Sequence, residues 1–161
     1  GSFDPAHKGH LAISKEAKKR FKLEKIIWAI TKKNPLKAKS KTPISKKIKD
    51  CKKIIGLHSF IKVKFYENII KSNKTIDLID YLKKNKNIEI FFLMGADNLI
   101  SFHKWHKSKL ISQKCNIIVF DRHGYKKNSL KSKTFKRLNN KTLTFVEFKK
   151  VNISSSQLRK I

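Results

Sequence analysis

Gly1-Ser2-Phe3-Asp4-Pro5-Ala6-His7-Lys8-Gly9-His10 opens the chain, and an apolar helical pattern follows from Leu11. The periodicity predicts a helix over 10–21, with Leu11, Ala17 and Phe21 as its buried stripe. Gly9 and His10 then stand at a helix N-terminus, where N–H groups without intrahelical partners and the positive end of the dipole favour an anion. A nucleotide phosphate is the anion that suits two imidazoles, which can bridge or protonate its oxygens. The plainer alternative for His7 and His10 is a capping or core pair. Phe3 has packing beneath the turn as its alternative, Asp4 a hydrogen bond within the loop, and Lys8 reads as solvated.

Outward from this stretch, strands and helices alternate. Residues 25–31 (KIIWAIT) and 116–120 (NIIVF) are short, nearly continuous apolar runs, the pattern of strands buried on both faces. Residues 88–94 (IEIFFLM) form a third run, and alternation predicts strands at 61–65 and 142–148. Between them, Ile44, Ile48, Cys51 and Ile55 share one helical face. Further helices are expected at 75–84, from Gly95-Ala96-Asp97-Asn98 through Leu99, Phe102 and Trp105, over 131–138, and from Ile153-Ser154-Ser155-Ser156 through Arg159. This order implies an α/β, Rossmann-like doubly wound domain with a mostly parallel sheet. Ligands in such sheets bind beyond the carboxyl ends of the strands. The turns at Gly95-Ala96-Asp97 and Asp121-Arg122 both follow expected strands.

The totals narrow the class. A chain of 161 residues suits one domain, 1–161, with a real core. No apolar run approaches the length that spans a bilayer. Cys51 and Cys115 match no metal or redox spacing and read as buried thiols of a cytoplasmic protein. The net charge of +29 would draw nucleic acid or anionic membranes. Yet the basic residues are almost all lysine, and the arginines are Arg20, Arg122, Arg137 and Arg159. Specific nucleic-acid readers lean on arginine for bidentate and stacking contacts, so the charge reads as a solvated surface that helps to gather polyphosphates.

The opening Gly-Ser-Phe-Asp-Pro with His7-Lys8-Gly9-His10 resembles the signature of the HxGH nucleotidylyltransferase superfamily, and most nearly that of the nicotinate-nucleotide adenylyltransferases. Three further stretches carry the likeness. Ile153-Ser154-Ser155 with Arg159 is similar to the family's Ile-Ser-Ser-x-x-x-Arg. Gly95-Ala96-Asp97-Asn98-Leu99, followed by Trp105, resembles the segment whose tryptophan faces the pyridine ring. Thr75-Ile76-Asp77 resembles Tyr-Thr-x-Asp-Thr-Leu, with Lys74 in place of the tyrosine and Leu78 in place of the second threonine. In that family a hydrophobic strand runs directly into the opening motif; the sequence here begins at Gly1, and an incomplete chain is the expectation.

The resemblance implies adenylyl transfer from ATP to nicotinate mononucleotide, with Mg²⁺ accompanying the ATP. His7, His10 and Arg159 would be catalytic. Gly1, Ser2, Phe3, Gly95, Asp97, Ile153, Ser154 and Ser155 would join them around ATP. Asn34, Lys37, Thr75 and Trp105 would hold the acceptor, Lys37 at its phosphate. Each has a plainer role: serine N-cap for Ser154, N-cap for Asp97, core for Trp105, surface for Lys37. A sibling transferase with another acceptor, such as phosphopantetheine, is the near alternative, and a basic nucleic-acid-binding protein the distant one.

Overall fold

A computed structural model describes residues 1–33, 40–84 and 86–148. It divides the chain into two compact units, the first covering Gly1–Asn73 and the second beginning at Lys74.

In the first unit, α1 (Lys8–Phe21) starts two residues before the expected start at His10 because His7 caps it: the His7 side chain accepts from the Gly9 N–H. Lys18, Lys19 and Arg20 occupy its last turn, where the carbonyl end of the dipole favours cations. The buried positions are Gly9, Ser14 and Ala17 rather than the expected Leu11 and Phe21, which are half-buried. Strand β1 (Ile26–Ala29) leads to Ile30, and alternate residues Ile26, Trp28 and Ile30 are buried. Its other face is only half-buried, so the apolar run marks a one-sided strand rather than a two-sided one. Helix α2 (Ile44–Ile55) shows the expected period, with one surprise. Lys47 is 1% exposed and its Nζ donates to the Thr31 carbonyl at 3.2 Å. Gly56, at φ 57°, ends the helix in a conformation that a side chain would strain. Strand β2 (Ile61–Lys64) pairs parallel with β1, Trp28 lying opposite Val63. A short helix, α3 (Glu67–Ile70), follows that periodicity alone does not signal. Gly1 donates from its amine to the Ala29 carbonyl (2.7 Å) and accepts from the Thr31 N–H (2.9 Å), the pattern of a parallel bridge to Ile30.

The second unit opens with α4 (Thr75–Lys83) and β3 (Phe91–Gly95), then passes into α5 (Ala96–Ser101) and a single 3₁₀ turn at Phe102–Lys104. The helix expected to run through Trp105 therefore tightens and stops before it. Helix α6 (Ser108–Lys114) and β4 (Asn116–Phe120) come next, then α7 (Lys126–Leu130), α8 (Lys133–Leu138) and β5 (Leu143–Val146). The segment expected as one helix over 131–138 starts at Ser132, whose hydroxyl caps Phe135, and α7 precedes it. Strand order is β3-β4-β5, all parallel. As the central strand, β4 is buried on both faces from Ile117 to Phe120, as its unbroken apolar run implies. Ile76 and Ile79 of α4, Leu99 of α5, Phe102 and Ile111 complete the core against it. No described helix is long and apolar enough to cross a membrane.

Both thiols are buried without bonding to each other. Burial pushes the Cys51 thiol up to about 12 and the Cys115 thiol up to about 11. Neither is expected to react with a disulfide reagent at pH 8 until the protein unfolds, which stopped-flow thiol titration with and without urea would measure. The linkage follows the sign of the shift. Both raised thiols stabilise the folded state fully below about pH 9, and that contribution is lost as pH rises toward 11–12 and the unfolded thiols ionise first.

Candidate active site

The two histidines are joined through the helix start. The His7 Nδ1 accepts from the Gly9 N–H at 3.1 Å, and the His10 Nδ1 accepts from the His7 N–H at 3.1 Å, forming a reciprocal capping box. Capping and phosphate binding are thus compatible rather than rival readings of the pair. In a neutral imidazole an accepting Nδ1 puts the proton on Nε2, which makes that nitrogen the donor. The rings lie 3.9 Å apart between centroids.

Aromatic packing sets the plane of His10. Phe3, in a left-handed backbone conformation at φ 45°, stacks on Trp28 with centroids 5.0 Å apart and also lies 4.7 Å from His10. Trp28 meets His10 edge-on at 5.8 Å. The Trp28 indole N–H donates to the Ser14 Oγ (2.8 Å), whose hydroxyl donates to the His10 carbonyl (2.8 Å). A β1 side chain and an α1 hydroxyl therefore fix the first turn of the helix that bears the histidines. A Cβ on Gly1 would come within 3.2 Å of the Phe3 ring, so glycine there leaves the ring its place. Asp4 accepts from Ser40 Oγ (2.5 Å) and Thr42 Oγ1 (2.6 Å), tying the residues just before α2 to the motif. Lys8 is exposed and Ser2 half-buried.

In the second unit the β3–β4 register puts Gly95 opposite Phe120. The residues two positions beyond, Asp97 and Arg122, meet past the carboxyl ends of the two strands. Arg122 Nη1 donates to Asp97 Oδ2 at 2.8 Å. Trp105 is half-buried, edge-on to Phe92 at 5.9 Å and tilted against Phe102 at 5.3 Å. It packs on the same core as Ile76 and Ile79, the α4 residues that follow the half-buried Thr75. Asn34, Lys37, Ile153, Ser154, Ser155 and Arg159 lie outside the described residues.

The sequence reading did not single out Trp28, Ser14, Ser40 or Thr42, and it placed Arg122 only within the turn after an expected strand, with no role at the site. Trp28 sits in an ordinary apolar run, and the three hydroxyl residues sit at unremarked positions. For Arg122 a signal existed: it is one of four arginines in a lysine-dominated chain and directly follows a strand.

Comparison with known proteins identifies the family. The family model described as cytidylyltransferase-like matches residues 1–161. A Pelagibacter ubique (strain HTCC1062) protein named "Probable nicotinate-nucleotide adenylyltransferase" is 66% identical over 161 residues, covering 100% of this chain and 89% of that one. The chain belongs to the nicotinate-nucleotide adenylyltransferase family. A Clostridium botulinum (strain Eklund 17B / Type B) protein of the same printed name is 34% identical over 164 residues, covering 99% of this chain and 82% of its own length. Among solved structures, the Plasmodium falciparum nicotinic acid mononucleotide adenylyltransferase complexed with NaAD superposes with a TM-score of 0.80 at 23% identity, over 99% of this chain and 80% of that one. That likeness carries the nucleotidyltransferase fold. The family's members are nucleotidyltransferases of NAD biosynthesis that use ATP and are generally metal-dependent.

Proposed function

We propose that the protein transfers the adenylyl group of ATP to nicotinate mononucleotide, yielding nicotinate adenine dinucleotide and pyrophosphate. The acceptor's 5′-phosphate oxygen attacks the α-phosphorus in line. A P–O bond forms there, the bond from the α-phosphorus to the α–β bridging oxygen breaks, and pyrophosphate leaves with that oxygen. A phosphate dianion is already a nucleophile, so the protein's task is positioning and charge stabilisation rather than covalent catalysis.

The observation that carries this reading is the capped histidine pair. Their Nε2–H edges, set at the positive end of a 14-residue helix, donate to the α-phosphate oxygens as charge develops on them. Gly1, Ser2 and Phe3 shape the wall beside the triphosphate. Ile153, Ser154, Ser155 and Arg159 are assigned to the phosphates, Gly95 and Asp97 to the adenosine, Asn34 and Lys37 to the acceptor phosphate, and Thr75 and Trp105 to the pyridine ring. The family match runs through both compact units, which supports reading 1–161 as one domain; we read the enzyme as cytoplasmic from its two buried, unbonded thiols.

Mg²⁺ belongs with this chemistry, since it offsets phosphate charge when bound. The described residues hold no cluster of three or more carboxylate, imidazole or thiol groups. They fit an ion carried by phosphates and water, the manner in which Mg²⁺ usually accompanies ATP.

The deciding experiment follows pyrophosphate release from ATP with nicotinate mononucleotide, nicotinamide mononucleotide or phosphopantetheine as acceptor. Release with the first at a kcat/KM at least about tenfold above the others, a difference of about 1.4 kcal/mol, is the expected result. Faster transfer to phosphopantetheine would replace this reading with the sibling one. Salt-sensitive binding of nucleic acid without pyrophosphate release would defeat both.

A further inference from the structure

The Asp97–Arg122 contact is built from two sides. Gly95 leaves the space: a Cβ on it would stand 2.6 Å from Asp97 Oδ1 and 3.9 Å from the Arg122 guanidinium carbon, so only glycine admits this carboxylate rotamer. Arg122 then holds the other oxygen, Oδ2, at 2.8 Å, with the two side chains 29% and 15% exposed respectively. Asp97 Oδ1 is fully buried and has no hydrogen-bond partner among the described residues. A carboxylate so seated cannot turn without losing its ion pair to Arg122. Its single bond to Arg122 leaves acceptor capacity on Oδ2, which can take about two hydrogen bonds.

We propose that Arg122 is a positioning residue for Asp97, fixing its carboxylate to accept a ribose hydroxyl of the bound nucleotide. Resting on the adenylyl-transfer reading above, this adds the group that makes Asp97 selective for a ribonucleotide. The location is apt, because β3 and β4 run parallel and both residues follow the carboxyl ends of their strands. The chemistry is apt too. Hydroxyl recognition by an oriented carboxylate discriminates strongly against analogues lacking the hydroxyl, since the acceptor is then left unpaired. A mobile carboxylate would swing to water and lose that discrimination.

The test compares ATP with its 2′-deoxy and 3′-deoxy analogues in the wild-type chain, Asp97→Asn, Arg122→Gln, Arg122→Lys and the Asp97→Asn/Arg122→Gln double variant. Binding is followed by calorimetry and turnover by pyrophosphate release. Wild type is expected to prefer ATP over one analogue by about 10- to 100-fold. Arg122→Gln should erase most of that preference by raising the Kd and KM for ATP, with kcat within about threefold, a change of well under 1 kcal/mol. The double variant should be no worse than either single one, and Arg122→Lys should recover part of the preference.

An equal loss for ATP and both analogues in Arg122→Gln would overturn the proposal, because a direct phosphate contact behaves that way. So would a wild type indifferent to both hydroxyls, or an unchanged preference in the folded Arg122→Gln protein. If Arg122→Gln does not fold, the preference in Arg122→Lys decides: an undiminished one overturns the proposal, and a reduced one supports it. Binding without acceptor keeps this test apart from the transfer reading, which fails alone if ATP binds selectively and nothing is transferred to nicotinate mononucleotide.

Discussion

His10→Asn is expected to lower adenylyl-transfer turnover by about 10²- to 10³-fold while leaving ATP affinity within a few-fold and the melting temperature almost unchanged. The choice of asparagine follows from the capping box. His10 Nδ1 accepts from the His7 N–H at 3.1 Å, and asparagine carries an amide oxygen at the matching distance from its backbone. The substitution keeps the acceptor that caps the helix and removes the Nε2–H to which the proposed mechanism gives the reacting phosphate. His10→Ala removes both, so it should add a stability loss on the order of 1 kcal/mol to the same kinetic defect. Steady-state pyrophosphate release paired with urea unfolding separates the two effects. Turnover in His10→Asn within about threefold of wild type, far short of one donor's usual worth, would remove His10 from the chemistry.

Trp28→Ala should cost about 3–5 kcal/mol of stability, the range for truncating a large buried aromatic, and should abolish measurable transfer in whatever remains folded. Trp28 is 3% exposed and supports three things at once: the Phe3 ring, the edge of His10 and the Ser14 hydroxyl. Trp28→Phe isolates one of them. It retains most of the stacking surface and loses the indole N–H, so it should cost about 1 kcal/mol, with turnover reduced far less than in the alanine variant. Chemical unfolding of the two variants, with kcat measured on each, checks the ranking. Equal stability losses would mean that the hydrogen bond to Ser14, rather than the ring, carries the effect.

Much of this arrangement can be read from residue order. The β4 run NIIVF predicts a two-sided strand because nothing polar interrupts it, and the 3.6-residue spacing of Ile44, Ile48, Cys51 and Ile55 predicts α2 because a single face must meet the core. Local chemistry is where reading by pattern stops. The start of α1 moved to Lys8 because a histidine cap overrides the apolar period, and histidine is not among the favoured capping residues. The helix expected through Trp105 tightens at Phe102 to bury that ring completely. Lys47 is buried inside a lysine-rich helix; its spacing to Cys51 and Ile55 puts it on the buried face, unlike the exposed Lys46 and Lys49, but its residue type argues against burial. At the site, His7, His10, Gly95 and Asp97 stand out by type and spacing. Their supports do not, because Trp28, Ser14 and Arg122 reach them by tertiary contact rather than by proximity in the chain.

The capping box has one more consequence, for how the protein can change over generations. The nitrogen atoms that cap α1 belong to the same rings that the proposed mechanism turns to the reacting phosphate. Inserting or deleting one residue between His7 and His10 would rotate the second ring by about 100° around the helix axis and also leave the terminus open. Folding and catalysis would fail together at that point, so no neutral intermediate leads away from the spacing. Length variation in this lineage should therefore spare the three-residue step from His7 to His10 and collect elsewhere in the chain.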